Sequence, residues 1–580
     1  MLKMDKEQIA KVLNEMAVLL EFNAENPFKI RAYQNAAHSL LNLDESLEKL
    51  IEEDRLTECE GIGAKLSEKI KILAQTGSHP IYEDLKKSMP AGIYELMRIP
   101  GLGTKKIKTL CDKLKIDSID SLKKACLEGK VAKLFRFGPK TEKNILNGIK
   151  NLESYSKRHL WWEAREIAAP ILEELRLLKG VKKAEIAGSL RRKLETVGDL
   201  DFVVAASNPD PIMKWFTTNP SVETVIAHGP AKSSVRLQDG IQAELRIVPE
   251  KQFAFVLCYS TGSKNHNVKL RQRALRFGLT LSEWGMVPEK PKVKDPFKGK
   301  KEIVEADIYQ ALKLEYIPPE LREDMGEIEA AEKRKLPHLV DLKDIRGTFH
   351  VHTAASDGRA TLEEMVKTAE NLHWEYVGIT DHSKSSFQAN GLDEEQLLKQ
   401  FKQIQKLNNS HKYKIHVFAG VECDILPNGK LDFSDDLLKQ LDFVIASVHS
   451  SLSQNEKAMT KRLIRAIENP YTTMLGHISG RILLKREGYS FHLQKVIDAC
   501  IANKKIIELN AHPNRLDLDW RYWHKAAEKG LMCSINPDAH DCEGLRHVEA
   551  GVNIARKGWL EKHQVFNTYP LAKIKEMLKP

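Results

Sequence analysis

Two stretches of this 580-residue chain gather side chains able to hold hard cations. The first runs from Gly188-Ser189 through Arg192 to Gly198-Asp199-Leu200-Asp201, then into the apolar Phe202-Val203-Val204. Residues two apart on a strand face the same way, so Asp199 and Asp201 present paired carboxylates. Such oxygens suit Mg2+ or Mn2+, and two ions bridged by carboxylates can activate a hydroxyl and neutralise a leaving pyrophosphate. A lone Asp-x-Asp is usually a solvated strand edge. Here a Gly-Ser turn lies upstream, and Ser189 and Arg192 are placed to grip triphosphate oxygens, which points to nucleotidyl transfer.

The second stretch is C-terminal. His350 and His352 alternate in Phe-His-Val-His, and Asp357 follows. His382, Glu422, His449, His477, Asp538 and His540 each end an apolar run or enter a turn. One such histidine is more often structural than a ligand. Repeated placement at the C-terminal ends of successive strands is where α/β folds assemble their sites. These nine residues offer mixed N/O ligands suited to two or three Mn2+, Zn2+ or Fe ions. Such a cluster lowers the pKa of a bridging water and clamps a phosphodiester for hydrolysis. Asp381, Asn510, His512 and Arg515 are expected to support the ligands or contact phosphate. Of 20 histidines, 15 lie at or beyond His338, so this chemistry is concentrated in the C-terminal part.

The elements that must carry these groups change along the chain. Up to about residue 150 the pattern is helical, broken by Gly61-Ile62-Gly63, Gly101-Leu102-Gly103 and Phe137-Gly138-Pro139. Each break precedes a helix start bearing lysine: Lys65, Lys105 with Lys106, and Lys140. Glycine lets backbone approach a phosphate, and a helix start offers unpaired N–H groups, so such turns grip nucleic-acid backbone without reading sequence. A single copy is weak evidence; two clear copies and a third point to tandem helix–hairpin–helix DNA binding. From Arg98 to Lys150 there are 14 Lys/Arg against 5 Asp/Glu, whereas the first 97 residues carry 12 against 17. That basic block suits a polyanion.

From 151 to about 317, strand-like Ala184–Ala187, Asp199–Ala205 and Ile241–Val248 alternate with helices, giving an α+β region. The stretch 318–345, with Pro318, Pro319, Pro337 and many charges, is expected to be a linker. From 346 onward, Tyr376–Thr380, His416–Gly420, Phe443–Val448 and Ile506–Asn510 alternate with helices, predicting an α/β fold on a parallel sheet. Eight scattered cysteines without a CxxC pair argue for reduced thiols. No early apolar run is long enough for a membrane span or export segment, so a cytoplasmic protein without a membrane partner is expected.

Asn26–Tyr33 and Gly61–Lys69 resemble the N-terminal domain of family X DNA polymerases. The resemblance implies a 5′-phosphate held by Lys29, Tyr33 and Lys65, and a 5′-deoxyribose-phosphate lyase lysine at Lys69. Gly188–Asp201 resembles the palm of that family, and the likeness continues through Tyr259-Ser260-Thr261-Gly262-Ser263-Lys264-Asn265-His266-Asn267 and Arg271. It implies that Gly188, Ser189, Arg192 and Gly198 hold triphosphate, that Tyr259, Thr261 and Gly262 flank the nucleotide sugar, and that Asn267 lies at the base. Arg271 would touch the template strand. Two positions depart from the family: Glu244 stands where it has a third catalytic aspartate, and Ser260 where phenylalanine is common. One extra methylene shifts a carboxylate by roughly 1 Å, which can cost on the order of 10²-fold in rate.

The C-terminal part resembles PHP domains, with all nine ligand positions filled. The whole order resembles the bacterial and archaeal PolX group, family X polymerases with a C-terminal PHP domain. This implies a helical 5′-phosphate domain (1–85), helix–hairpin–helix fingers (86–150), a nucleotidyltransferase palm (151–240), the palm end with a nucleotide-selecting thumb (241–317), the linker (318–345) and a PHP domain shaped as a distorted barrel of seven β/α units (346–580). The implied work is filling short gaps in base excision repair with deoxynucleoside triphosphates on gapped or 3′-recessed DNA. The PHP domain would act as a 3′→5′ exonuclease, with cleavage at abasic sites a further expectation, and the chain would be a monomer. Three rivals stay open: a nuclease with a residual polymerase because of Glu244, a small-molecule phosphoesterase, and a non-catalytic DNA-end scaffold.

Overall fold

A computed structural model describes residues 3–578 apart from 5, 24, 42–46, 60, 88–92, 98, 100–101, 136 and 156–157. The chain divides into two units, Met1–Ser156 and Lys157–Pro580.

In the first unit, described residues are helical between short turns. Two helices start by the same device. Gly63 caps Ala64–Thr76 at φ −77°, ψ 167°, and Gly103 caps Thr104–Leu114 at φ −73°, ψ 162°. Neither glycine has a neighbour within 4 Å of where a Cβ would stand, so both leave open space at a helix N-terminus. The third expected turn differs, since Gly138 is itself the first residue of Gly138–Tyr155 and has φ +64°. The unit's core is an apolar stripe from successive helices, including Leu13, Met16, Leu20, Ile70, Leu73, Ile107 and Leu110.

The second unit holds two large sheets. One has five strands in the order Val181–Ile186, Asp199–Ala206, Gln242–Val248, Lys232–Leu237, Val222–His228. Asp199–Ala206 and Gln242–Val248 run parallel, and the other neighbours are antiparallel. Helices Phe253–Thr261 and Lys264–Arg276 and the hairpin Leu279–Ser282/Gly285–Pro288 follow. The other sheet has seven parallel strands in chain order, from Gly347–Thr348 to Cys533–Asn536. A parallel bridge between Val351 and Ala539 brings its first and last strands together, so the sheet nearly closes into a barrel. Its interior strands are continuously buried, as parallel strands covered on both faces must be.

The stretch 318–345 is not the solvated linker that its charges suggest. It forms turns of helix at Pro319–Leu321, Glu327–Glu332 and Leu342–Asp344, and Leu321, Arg322, Glu327 and Val340 are buried. Part of the charge is consumed internally: Arg322 pairs with Glu305 at 2.8 Å, and Glu327 with His266 at 2.7 Å. One continuous apolar cluster joins Trp161, Leu190 and Phe202 of the five-stranded region to Trp520, Trp523 and Val565 of the barrel region.

Candidate active sites

The parallel pairing of the two central strands sets Asp201 directly beside Glu244 and Asp199 beside Gln242. Period-two alternation then puts Asp199, Asp201 and Glu244 on one face, while Leu200, Phe202 and Leu245 enter the core. Burial and the neighbouring charges of Asp199 and Glu244 lift the Asp201 carboxyl to about 7. Burial and Glu244 also lift Asp199. Two carboxyls raised by burial and by their acidic neighbours, with Glu244 on the same face, form a site short of positive charge, which a divalent cation corrects. Glu244 is already engaged by Lys232, 2.8 Å away.

Gly188 opens the short helix Gly188–Arg191 at φ +61°, and a Cβ there would stand 2.0 Å from Asp201 Oδ2. Only glycine permits this approach. Arg192 caps that helix, where its Nε donates to Glu323 at 3.0 Å and its Nη1 to the Thr261 carbonyl. Gly262, at φ +70°, gives the guanidinium room, since a Cβ there would lie 3.2 Å from Nη1. Ser189 and Gly198 are half-buried beside these groups. Tyr259, Asn267 and Arg271 line one pocket, with Asn267 Nδ2 donating to the Tyr259 carbonyl at 2.8 Å. Thr261 departs from expectation. It is fully buried, its hydroxyl donates to the Leu257 carbonyl and accepts from Arg191, and it serves the site through its carbonyl.

In the barrel, all nine expected residues converge at the C-terminal mouth. His350, His352 and Asp357 follow the first strand, His382 the second, His449 the fourth, His477 the fifth, and Asp538 with His540 the last; Glu422 lies within the third. Three groups bring donor atoms within 4.8 Å: His352, Asp357, His382 and His540; His350, His352 and Asp538; and His382, Glu422 and His449. His477 Nε2 joins them, 2.8 Å from Glu422 Oε1. No such group forms around Asp199 among the described residues.

The residues fit metal ions by a direct test. His350 Nε2, both nitrogens of His352, His382 Nδ1 and Glu422 Oε2 are buried without a hydrogen-bond partner. Leaving so many buried polar atoms without a hydrogen bond is costly, and each belongs to a residue of the ligand groups above, so cations are the natural partners. Electrostatics agree. Burial pushes His352 down to about 3, helped by His540 and His382. Burial also opposes charge on His449, yet Glu422 and Asp424 lift it to about 10. Burial would raise Glu422, but the surrounding imidazoles hold it well below the usual carboxylate range.

Glu508 and Asp424 were not foreseen. Glu508 accepts from His350 Nδ1 at 2.6 Å and from the His477 amide, turning His350 Nε2 toward the cavity. Asp424 does the same for His449 Nδ1 at 3.2 Å. Of the four expected helpers, Asn510 donates to Asp538 at 3.0 Å and Arg515 lies 3.4 Å from it. Asp381 instead ties down the loop through Thr353, Ser356 and Gln400. His512 accepts from the Asn514 amide, stacks edge-on with His547, and belongs to none of the three ligand groups.

In the N-terminal unit, Lys29 is exposed and pairs with Glu25 at 3.4 Å, and Tyr33 is buried. Gly61 takes φ +79°, Lys65 and Lys69 share one face of Ala64–Thr76, and Lys105 and Lys106 open the helix after Gly103. Burial and nearby Lys69 push His79 down. Gly101 lies outside the described residues.

Family models match in four places. They are a helix-hairpin-helix domain at 4–79, a SAM-like helix-hairpin-helix tandem at 93–151, the DNA polymerase beta thumb at 256–323 and a PHP domain at 348–512. The DNA polymerase/3′-5′ exonuclease PolX of Bacillus subtilis (strain 168) is 37% identical over 578 residues, covering 99% of this chain and 100% of that protein. Probable phosphatases of Thermoanaerobacter sp. (strain X514) and Caldicellulosiruptor bescii are 30% and 36% identical, each across 28% of this chain and 69% and 63% of their own length.

Proposed function

The chain belongs to the PolX family of DNA polymerases, and from that premise we propose that it fills short gaps in DNA at the palm and trims 3′ ends at the barrel. The observation that carries this reading is the presence, on one chain, of two separate acid-rich centres, Asp199/Asp201/Glu244 and the nine-residue cluster. Divalent ions, when bound, supply charge neutralisation for the phosphoryl groups at both centres and an activated water at the barrel; Mg2+ or Mn2+ suits the palm, and Mn2+, Zn2+ or Fe the barrel.

The protein's own groups do the positioning. In the palm, Asp199, Asp201 and Glu244 would hold these ions and, through them, set the primer's reacting hydroxyl against the incoming nucleotide. The Gly188–Ser189 turn lets backbone approach the phosphates, and Arg192 offers its guanidinium to their charge. In the barrel, Glu508 and Asp424 fix the ring orientation of His350 and His449, and Arg515 stands at the rim to meet a phosphodiester. The helix–hairpin–helix turns hold the DNA backbone on both sides of a gap. Base excision repair, cleavage at abasic sites and a Lys69 lyase extend the same reading.

Primer extension on a gapped duplex with Mg2+ or Mn2+ tests it. The wild-type chain should lengthen the primer when nucleotides are present and shorten it when they are absent. Asp201→Ala should stop growth alone, and a His350→Ala/His352→Ala double variant should stop shortening alone. A chain that binds the duplex but changes its length in neither condition rules the reading out. A second reading, a nuclease with a feeble polymerase, is favoured by the Lys232–Glu244 pair, which engages the carboxylate the palm requires.

A further inference from the structure

Lys557 is a buried lysine that neither centre claims. It ends the helix Val548–Lys557 of the barrel region, and its side chain is fully enclosed. Its ammonium donates to the Arg192 carbonyl at 3.1 Å, the Glu320 carbonyl at 3.3 Å and Glu323 Oε1 at 2.6 Å, and it sits 4.5 Å over the Trp520 ring. The same Glu323 oxygen accepts from Arg192 Nε at 3.0 Å. Arg192 is thus held at its backbone by Lys557 directly and at its guanidinium by Lys557 through Glu323. Its Nη1 is fixed by the Thr261 carbonyl, and Nη2 has no protein acceptor among the described residues.

Two cations sharing one carboxylate oxygen form an arrangement with little freedom. Removing the buried ammonium would leave the Glu323 carboxylate to draw Arg192 inward, and would orphan two carbonyls. We propose that Lys557, supplied by the barrel region, is a positioning residue of the palm: it fixes the Arg192 guanidinium where the triphosphate of an incoming nucleotide binds. This rests on the polymerase reading above. It makes nucleotide affinity depend on the PHP region by a route independent of the nuclease ligands.

The test uses the full-length chain on a gapped duplex. Affinity for a deoxynucleoside triphosphate with Mg2+ is measured by fluorescence titration, which reports even if no extension occurs, and single-nucleotide incorporation separates KM from kcat. Lys557→Met should weaken nucleotide binding and raise KM about tenfold with a smaller change in kcat, while 3′ trimming stays within twofold of wild type. Lys557→Arg should recover part of the affinity. In an Arg192→Ala background Lys557→Met should cost little more, because the group it positions is gone. Glu323→Gln, which keeps side-chain size, should move affinity in the same direction and serves if Lys557→Met fails to fold. Unchanged affinity in the single variants overturns the proposal. So does an equal loss with and without Arg192, or a parallel loss of trimming. Failure of the wild-type chain to extend a primer would count instead against the polymerase reading.

Discussion

Gly188 shows how little room the palm carboxylates leave. Its positive φ is uncomfortable for an L side chain, and a methyl group would run into Asp201. Gly188→Ala should lower nucleotide incorporation by roughly 10²-fold, the scale on which a misplacement of about 1 Å acts, while leaving 3′ trimming intact; near-normal incorporation would refute this geometry. Glu244→Asp should incorporate nucleotides at least as fast as the wild type, because a shorter carboxylate leaves Lys232 and stands level with Asp201. A collapse in the incorporation rate would mean that Glu244 is suited to its place as it is. At this scale the sequence was readable wherever spacing encodes geometry, as in Asp199-x-Asp201 and His350-x-His352. Glu508 and Asp424 were not, because single acids within apolar strands carry no local signature; the barrel's closure brings Glu508 behind His350, and the pairing of neighbouring strands brings Asp424 behind His449. Thr261 was placed beside the nucleotide sugar by resemblance alone, and the sequence does not reveal that Arg191 and Leu257 take up its hydroxyl.

Among elements, the strands and helices followed from periodicity because each sheet buries its faces consistently. The stretch 318–345 did not, since prolines and charges look alike whether they are solvated or paired inside. What makes it part of the core is the Arg191–Glu305–Arg322 cluster, with Glu305 in contact with both arginines. Burial would raise the Glu305 carboxyl, but Arg322 and Arg191 outweigh it and hold it below its ordinary range. A depressed folded-state pKa means that the stabilisation is complete above the unfolded value of about 4.3 and fades as pH falls through the lower folded value. Glu305→Gln should therefore cost roughly 3–5 kcal/mol at pH 7, and the gap to wild type should shrink below about pH 4. Denaturant melts at the two pH values check this; a gap that does not change with pH would show that the carboxylate's charge is not what matters. The linker expectation failed because pairing of this kind is long-range and leaves no trace in composition.

Over the whole molecule, the five-stranded region and the barrel share one apolar cluster, so residues 157–580 should respond as a unit. Mn2+ added to metal-stripped Asp199→Ala/Asp201→Ala protein, in which the palm no longer holds an ion, should raise Tm by several degrees, since ligands that bind only the folded state stabilise it. It should also slow hydrogen exchange in the distant strand Asp199–Ala206. Adding His350→Ala/His352→Ala to that background should remove both effects, and slowed exchange confined to the barrel would show that the two regions open separately. The modular order along the chain was legible because each part has its own composition and turn chemistry. The seam between palm and barrel was not, because it is built from apolar side chains that any core would contain.

That seam carries its own lamp. The Trp520 indole donates to Glu195 at 3.1 Å, and its ring lies beneath Arg521 at 4.4 Å and Lys557 at 4.5 Å. An indole so enclosed by cations and a carboxylate emits according to whether they stay in place. Parting of the two regions would admit water and shift that emission to longer wavelength, so in a variant whose other seven tryptophans are replaced by phenylalanine the fluorescence of Trp520 can follow their separation in real time without any added dye.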